Sequence, residues 1–348
     1  MKFSLREMTP ADSDLLRVLA AESPDAGMVQ FSPEFFISPY AFIIEGASHT
    51  QGVVATHPDH PGLVGSAAVT QMELTLAGEK RQAGYLSSLM VHPALRRQGL
   101  ATRLAQWRIR HVREQVGEDA VLFANIQQGN VASLRNAEKW ATQFVDKVKY
   151  VPLPTLATSA SSRFTIREIM PDEYEIFATG HNTYCEGQEF VRTLTAQNMA
   201  EWLQIHASDT PVHHWYGAFT SQGALVAGVA LAEHFRLREL RVRSMPGWMT
   251  LANRLLKVIP PDGTLRDVAV SAMWYAPGYE AALHDLVREV RVRWHKHANI
   301  VPVMYDDRSK LGRILRVPLH LPTTSITIAL YSPVPVYGNR LIQPYLRD

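Results

Sequence analysis

Apolar residues in this chain fall into two kinds of run that alternate in order. Leu15, Leu16 and Leu19 have the spacing of an amphipathic helix. Two apolar stretches follow, 53–56 and 63–76, separated by Asp59-His60-Pro61-Gly62. Runs of this kind broken by turn residues read as paired strands. Residues 85–91 read as a further strand, 102–109 as a helix, 120–126 as a strand, and 129–134 as the start of a helix running through Trp140. The second half gives a similar order. Tyr174, Phe177 and Ala178 sit at helical spacing, 214–219 and 224–231 read as a hairpin, and 268–275 as the strand equivalent to 85–91. A helix through His297 and strands at 300–305 and 325–331 complete it. The pattern predicts a mixed α/β fold, with mostly antiparallel sheets flanked by helices.

The two halves also share letters. Phe3-Ser4-Leu5-Arg6-Glu7-Met8-Thr9-Pro10-Ala11-Asp12 is matched, 161 positions later, by Phe164-Thr165-Ile166-Arg167-Glu168-Ile169-Met170-Pro171-Asp172-Glu173. Each copy reads as a strand followed by a helix start. In the first, Thr9 suits the N-cap, Pro10 the first helical position and Asp12 the reciprocal cap. The Pro-, Ser- and Thr-rich stretch 152–162 between the copies reads as connecting chain. We therefore expect domains at 1–155 and 164–348, joined by a linker at 156–163. A segment at 233–263 lengthens the second domain.

Composition narrows the class. With 348 residues, 46% of them hydrophobic, the chain has material for two packed domains. A net charge of +2 is too balanced to argue for nucleic acid as a partner from charge alone. The lone cysteine, Cys185, can form no internal disulfide. No apolar run reaches membrane-span length, and the first residues carry no signal-peptide pattern. A cytoplasmic protein without membrane contact is expected.

One stretch carries chemistry. Arg96-Arg97-Gln98-Gly99-Leu100-Ala101 follows the strand at 85–91 and His92-Pro93, and opens the helix at 102–109. The first N–H groups of a helix lack internal partners and carry the positive end of its dipole, so a strand, a glycine turn and a helix start form an anion site. Neither a G-x-x-x-x-G-K-[ST] nor a G-x-G-x-x-G motif is present. What stands, Arg-x-x-Gly-x-Ala after Val-His-Pro, resembles the acyl-CoA pyrophosphate loop of the GNAT acyltransferase family, [Q/R]-x-x-G-x-[G/A]. The repeat then suggests tandem GNAT domains. The second would be degenerate, since Ala276-Pro277-Gly278-Tyr279 keeps one glycine and no arginine pair.

The resemblance implies that acetyl-CoA or another acyl-CoA is bound, without metal. Leu89, Met90 and Val91 would run beside pantetheine, a backbone N–H near Met90 would meet the developing oxyanion, and Arg96, Arg97, Gln98, Gly99, Leu100, Ala101 and Thr102 would hold pyrophosphate. Asn130 and Ser133 match the family's Asn-x-x-[Ala/Ser]; both are also ordinary capping residues. It implies an N-acyltransferase in which a small-molecule or peptide amine attacks the thioester directly, in a monomer (an internal pseudo-dimer) or a homodimer.

The chain departs from the family at two places. Where many members carry a carboxylate on the motif strand it has Ser87 and Ser88, and where many place a tyrosine acid it has Ala137. Ser88, and Glu73 on the neighbouring strand, are the remaining candidates for catalysis. The departures keep two alternatives open: a non-catalytic acyl-CoA sensor or interaction module, and a nucleic-acid-associated acyltransferase or adaptor motivated by Arg236, Arg238, Arg241 and Arg243. A solvated, salt-bridged face within the added segment explains that arginine run better. Residues 181–187 either border an acceptor cleft or form a plain interdomain loop. The histidine pairs His57/His60, His213/His214 and His295/His297 each lack a third metal ligand.

Overall fold

The computed structural model describes residues 3–345 apart from positions 26, 159–160, 206–207, 257–258, 320 and 337. Two positions of the expected linker thus lie outside the described residues. The first half runs β1 (Ser4–Glu7), α1 (Ser13–Glu22), β2 (Gln30–Phe35), β3 (Thr50–His57), β4 (His60–Leu76), β5 (Glu79–Val91), α2 (Leu100–Val116), β6 (Val121–Gln127), α3 (Val131–Ala137) and β7 (Gln143–Pro154). Side chains alternate across a strand. Val53 and Ala55 therefore pack with Leu100 and Leu104 of α2, while Val54 between them packs with Leu16 and Leu19 of α1. Helices cover both faces. On the α2 side, a Cβ at Gly84 would lie 2.6 Å from Val112, so glycine lets the helix seat closely on β5.

The second half runs β8 (Thr165–Glu168), α4 (Tyr174–Tyr184), α5 (Ala196–Leu203), β9 (His213–Phe219), β10 (Leu225–Ala232), β11 (Arg238–Ser244), α6 (Gly247–Leu256), β12 (Thr264–Leu265), β13 (Ala269–Tyr275), α7 (Glu280–Arg293), β14 (Ile300–Asp306) and β15 (Thr324–Tyr331). Its helix α7 buries Leu283, Leu286, Val287 and Val290 against one face, and α4 buries Phe177 against the other. The repeated letters have a shared role. Arg6 pairs with Asp12 at 2.5 and 2.8 Å, and Arg167 with Glu173 at 2.6 and 2.7 Å. Each acid also accepts the backbone N–H three residues earlier, from Thr9 and Met170 respectively. The repeat thus encodes a bolted strand-to-helix corner in both halves.

The main sheet has 12 strands in the order β1-β3-β4-β5-β6-β15-β7-β14-β13-β10-β9-β8. Read from its two ends, the order is the same in each half, except that the last strands are exchanged. β15 pairs with β6 and β7, and β7 pairs with β14 and β15. The boundary near residue 160 therefore divides the chain but not the sheet. Strand β7 was absent from the sequence expectation, which placed 152–154 in connecting chain; they end this strand instead. Its prolines fit because β15 pairs with β7 no further than Tyr150, whereas Pro152 and Pro154 face only β14. A proline lacks the N–H that a second neighbour would need.

The added segment 233–263 contributes β11 and α6. Strand β11 pairs with β2 of the first half and with β12, making a 3-stranded sheet over the main one. The arginine run lies on it and is paired with acids. Arg238 meets Asp267 at 2.7 Å, Arg236 meets Glu233 at 3.0 Å, and Arg241 bridges to Glu34 of β2. Arg243 donates to Ser32 at 3.0 Å. Of these, Arg241 and Arg243 tie the second half to β2 of the first. Among the described residues no helix is long and apolar enough to cross a membrane.

Candidate functional site

Strand β5 opens the site. It pairs in parallel with β6 at Ala83, Gly84 and Tyr85, and among the described residues no strand lies beside it on that side from Leu86 to Val91. On the other side its register with β4 jumps from Ser66↔Met90 to Ala68↔Ser87, leaving Ser88 and Leu89 opposite Ala67. Such a bulge bends the strand and re-aims its backbone. Ser88 sits at its centre with φ +51°, a conformation unusual for a residue with a Cβ. The second half repeats the device, with a register break between Gly228 and Ala230 and Ala272 at φ +47°.

Arg108 of α2 braces the bulge, and sequence reasoning missed it. It is buried and donates to the carbonyls of Ser87 (3.1 Å), Leu104 (3.3 Å) and Ala68 (3.5 Å). Burial pulls its pKa down to about 10, so it is still protonated at neutral pH. Replacing Arg108 by leucine removes these side-chain donors, above all the one to the Ser87 carbonyl at the bulge, at about 1–3 kcal/mol for each buried carbonyl left unpaired. We expect Arg108→Leu to lower unfolding stability by about 2–4 kcal/mol, read from urea midpoints at unchanged m-value; Arg108→Lys should recover part of it. A loss below about 0.5 kcal/mol would mean that the bulge holds without this brace.

Beyond the strand, the chain passes through His92-Pro93 and a short turn into α2. Arg97 (φ +63°) and Gly99 (φ +83°) are both left-handed. They turn successive N–H groups outward, and from Arg97 to Thr102 these groups have no acceptor among the described residues. Arg96, Arg97, Gln98 and Gly99 are exposed, and a Cβ at Gly99 would meet nothing within 4 Å. Open space, free donors and a helix dipole coincide here. Lys139, which the sequence reading did not mark, brings its ammonium to 2.8 Å from Thr102 Oγ1 at the same helix start. Asn130 caps α3, accepting the Ser133 N–H at 3.1 Å, while its amide donates to Asp25 at 3.0 Å. In the second half the equivalent turn, Ala276–Tyr279, is shorter and leads into Glu280, a carboxylate in the first turn of α7. That charge opposes an anion.

Leu89, Met90 and Val91 are half-buried along the open edge of β5. Glu73 lies elsewhere: it is exposed, bridged to Lys80 at 2.9 Å, and five residues along β4 from the partner of Ser87, about 17 Å in an extended strand. Ala137, the last residue of α3, is buried against Ile126 and Ala329. Cys185 is buried too, its thiol pushed up to about 12 by burial, 3.6 Å from His181, whose imidazole burial holds down at about 4. Both are neutral at pH 7, so this is no thiolate pair. Among the described residues no three His, Cys, Asp or Glu side chains gather as a metal site would require.

A cavity of about 360 Å³ lies between the main sheet and the small one. Its floor follows from strand alternation. In β6, Val121 and Phe123 face the core on this side, so Asn125 and Gln127 face the same way. Tyr150 and Pro152 of β7, Pro302 and Met304 of β14, and Ile326 of β15 continue the floor, and Phe31, Leu240 and Met249 roof it. Tyr85 borders it where β5 and β6 part. Residues 181–187 do not belong to this cavity; His181 borders a smaller one of about 80 Å³ beside Ala272 of the second-half bulge.

Comparison with known proteins agrees with this architecture. The model of the acetyltransferase (GNAT) family matches residues 16–141, which contain the turn and its helix. N-myristoyltransferase from Saccharomyces cerevisiae with bound myristoyl-CoA superposes with a TM-score of 0.66 at 10% identity, covering 95% of this chain and 82% of that one. A GCN5-related N-acetyltransferase from Sphaerobacter thermophilus gives 0.56 at 16% identity, over 96% and 98% of the chains. A tandem GNAT protein from the clavulanic acid biosynthesis pathway gives 0.56 at 11% identity, over 96% and 99%. No curated protein sequence matches. These likenesses are of fold, and the tandem arrangement extends through both halves. Residues 16–141 thus match the acetyltransferase (GNAT) family, and the chain as a whole shares the fold of these structures, the tandem GNAT protein among them.

Proposed function

We propose that this protein is an N-acyltransferase that binds one acyl-CoA on its first half and acylates an amine held in the central cavity. The observation that carries the reading is the row of uncommitted N–H groups from Arg97 to Thr102 at the end of a strand whose edge is open. Pyrophosphate would sit on the turn with Arg96, Arg97 and Lys139 around it. Pantetheine would pair along Leu89–Val91 as an added strand, and the thioester would reach the bulge at Ser88, where backbone N–H groups meet the developing oxyanion. The ammonium first loses a proton to solvent; the neutral amine nitrogen then bonds to the acyl carbon, the carbon–sulfur bond breaks, and the proton shed by the acylated nitrogen passes to the CoA thiolate, which leaves as free thiol.

Residues 1–155 carry the acyl donor, and both 1–155 and 164–348, on either side of the 156–163 linker, line the acceptor cavity, 164–348 closing its far end. Glu280 and the short turn of the second half oppose a second acyl-CoA there. Acetyl-CoA is the first donor to test; the acceptor is a small-molecule or peptide amine, and the setting is cytoplasmic. The serines at the bulge and buried Ala137 favour a second reading, an acyl-CoA sensor without turnover. Release of free thiol from acetyl-CoA and longer acyl-CoAs, followed across a panel of primary amines, separates the two. The proposal expects amine-dependent release that Ser88→Pro, at the bulge, removes. CoA binding without release for any donor and amine would leave the sensor.

A further inference from the structure

Opposite Asn125 and Gln127, the far end of the cavity carries a buried polar cluster. His234 follows β10, is 6% exposed and borders the cavity, as do Arg238 and Asp267. Its Nδ1 lies 2.8 Å from Asp267 Oδ2. Arg238 donates to the other carboxylate oxygen at 2.7 Å. Asp267 is ionised in spite of its burial, because the Arg238 cation and the imidazole hold its pKa below the usual carboxylate range. An ionised carboxylate can only accept, so Nδ1 donates to it at 2.8 Å, shorter than the 3.3 Å from Arg238 Nη2 to the same nitrogen, and in the neutral ring Nε2 then presents a lone pair. That Nε2 is buried and has no hydrogen-bond partner among the described residues. Phe42 stands edge-on to the ring at 6.4 Å between centroids. The phenol of Tyr150, whose pKa is raised by burial and by the Asp267 charge, borders the same end.

A buried acceptor left without a donor is costly, and native proteins rarely keep one without use. Arg238 is committed to Asp267, so the cluster has no spare cation to attract a carboxylate. We infer that His234 is the specificity-determining residue for an elongated apolar amine whose remote end carries a hydroxyl, which donates its proton to Nε2. This rests on the cavity being the acceptor site. The floor crosses from β6 to β13, four strand spacings or roughly 19 Å, so the acylated amine and the recognised hydroxyl lie at opposite ends.

The test is direct binding to the full chain by calorimetry, without CoA, using dodecylamine, its ω-hydroxy counterpart and its ω-carboxylate counterpart. Wild type should bind the hydroxy probe about tenfold or more tightly than dodecylamine, since the latter leaves Nε2 unpaired, and should bind the carboxylate more weakly than the hydroxy probe. His234→Phe should erase the hydroxyl preference while retaining dodecylamine affinity, and His234→Gln should keep part of it. Equal wild-type affinity for the hydroxy probe and dodecylamine, no binding of either, or an undiminished preference in a folded His234→Phe overturns the inference. The wild-type comparison needs no variant to fold. Because the assay omits CoA, a failure of acyl transfer would register separately, in the thiol-release measurement.

Discussion

Gly99→Val should reduce CoA affinity at least about 100-fold while leaving the protein folded. Two physical effects act together. Gly99 has φ +83°, where a β-branched residue is strained, at about 1–2 kcal/mol. Its Cβ would meet no protein atom within 4 Å, so packing adds nothing to that cost. The added isopropyl group instead occupies the open face toward which the N–H groups point. Losing two charge-assisted hydrogen bonds there costs about 3–6 kcal/mol of binding, which gives the expected factor. Arg97→Gly gives the contrasting case. Arg97 also has positive φ and is exposed, so glycine relieves strain and removes charge. Folding stability should change by less than about 1 kcal/mol, whereas CoA binding weakens and loses part of its salt dependence. Calorimetric titration with CoA, beside thermal melts, reads both; unchanged affinity in Gly99→Val would remove the turn from the site.

Neither half should fold when produced alone. Cutting the chain at the linker leaves β7 in the first piece with neither of its neighbours, β14 and β15, and leaves β15 in the second with neither β6 nor β7. Val148, Val151 and Leu153 of β7 are buried, as are Ile326, Ile328 and Leu330 of β15. Three such side chains lose roughly 5–9 kcal/mol of burial on each side, comparable to the whole stability of a domain. The pieces 1–155 and 164–348 are expected to be insoluble or to melt without a cooperative transition. Co-expression should yield a complex with one thermal transition, like the intact chain. A soluble first half with a sharp melt would show that the exchange of strands is dispensable.

The sequence disclosed features that depend on near neighbours. The turn at Arg96–Ala101 was readable because a strand, a glycine and a helix start follow one another directly. The repeat at Phe3 and Phe164 was readable because Arg6 and Asp12, and Arg167 and Glu173, act within one corner. Features formed by distant segments were not. The pairing of β7 with β14 is set by side chains some 150 positions apart in sequence, and prolines at 152 and 154 disguised the strand as linker. The partner of β11 lies in the other half, so its arginines read as a surface run. Arg108 looked like any helix arginine until the bulge appeared beneath it. Asn125 and Gln127 could have been marked, since both alternate with the apolar Val121 and Phe123 of β6. Only the fold shows that a cavity lies on that face.

The central claim is that a single acyl-CoA site exists, on the first half. Calorimetric titration of CoA into the intact protein tests it most directly. One site per chain, abolished by Gly99→Val and untouched by Gly278→Val in the corresponding turn of the second half, is the predicted result. No binding, two equivalent sites, or a site lost only on replacing Gly278 would contradict it.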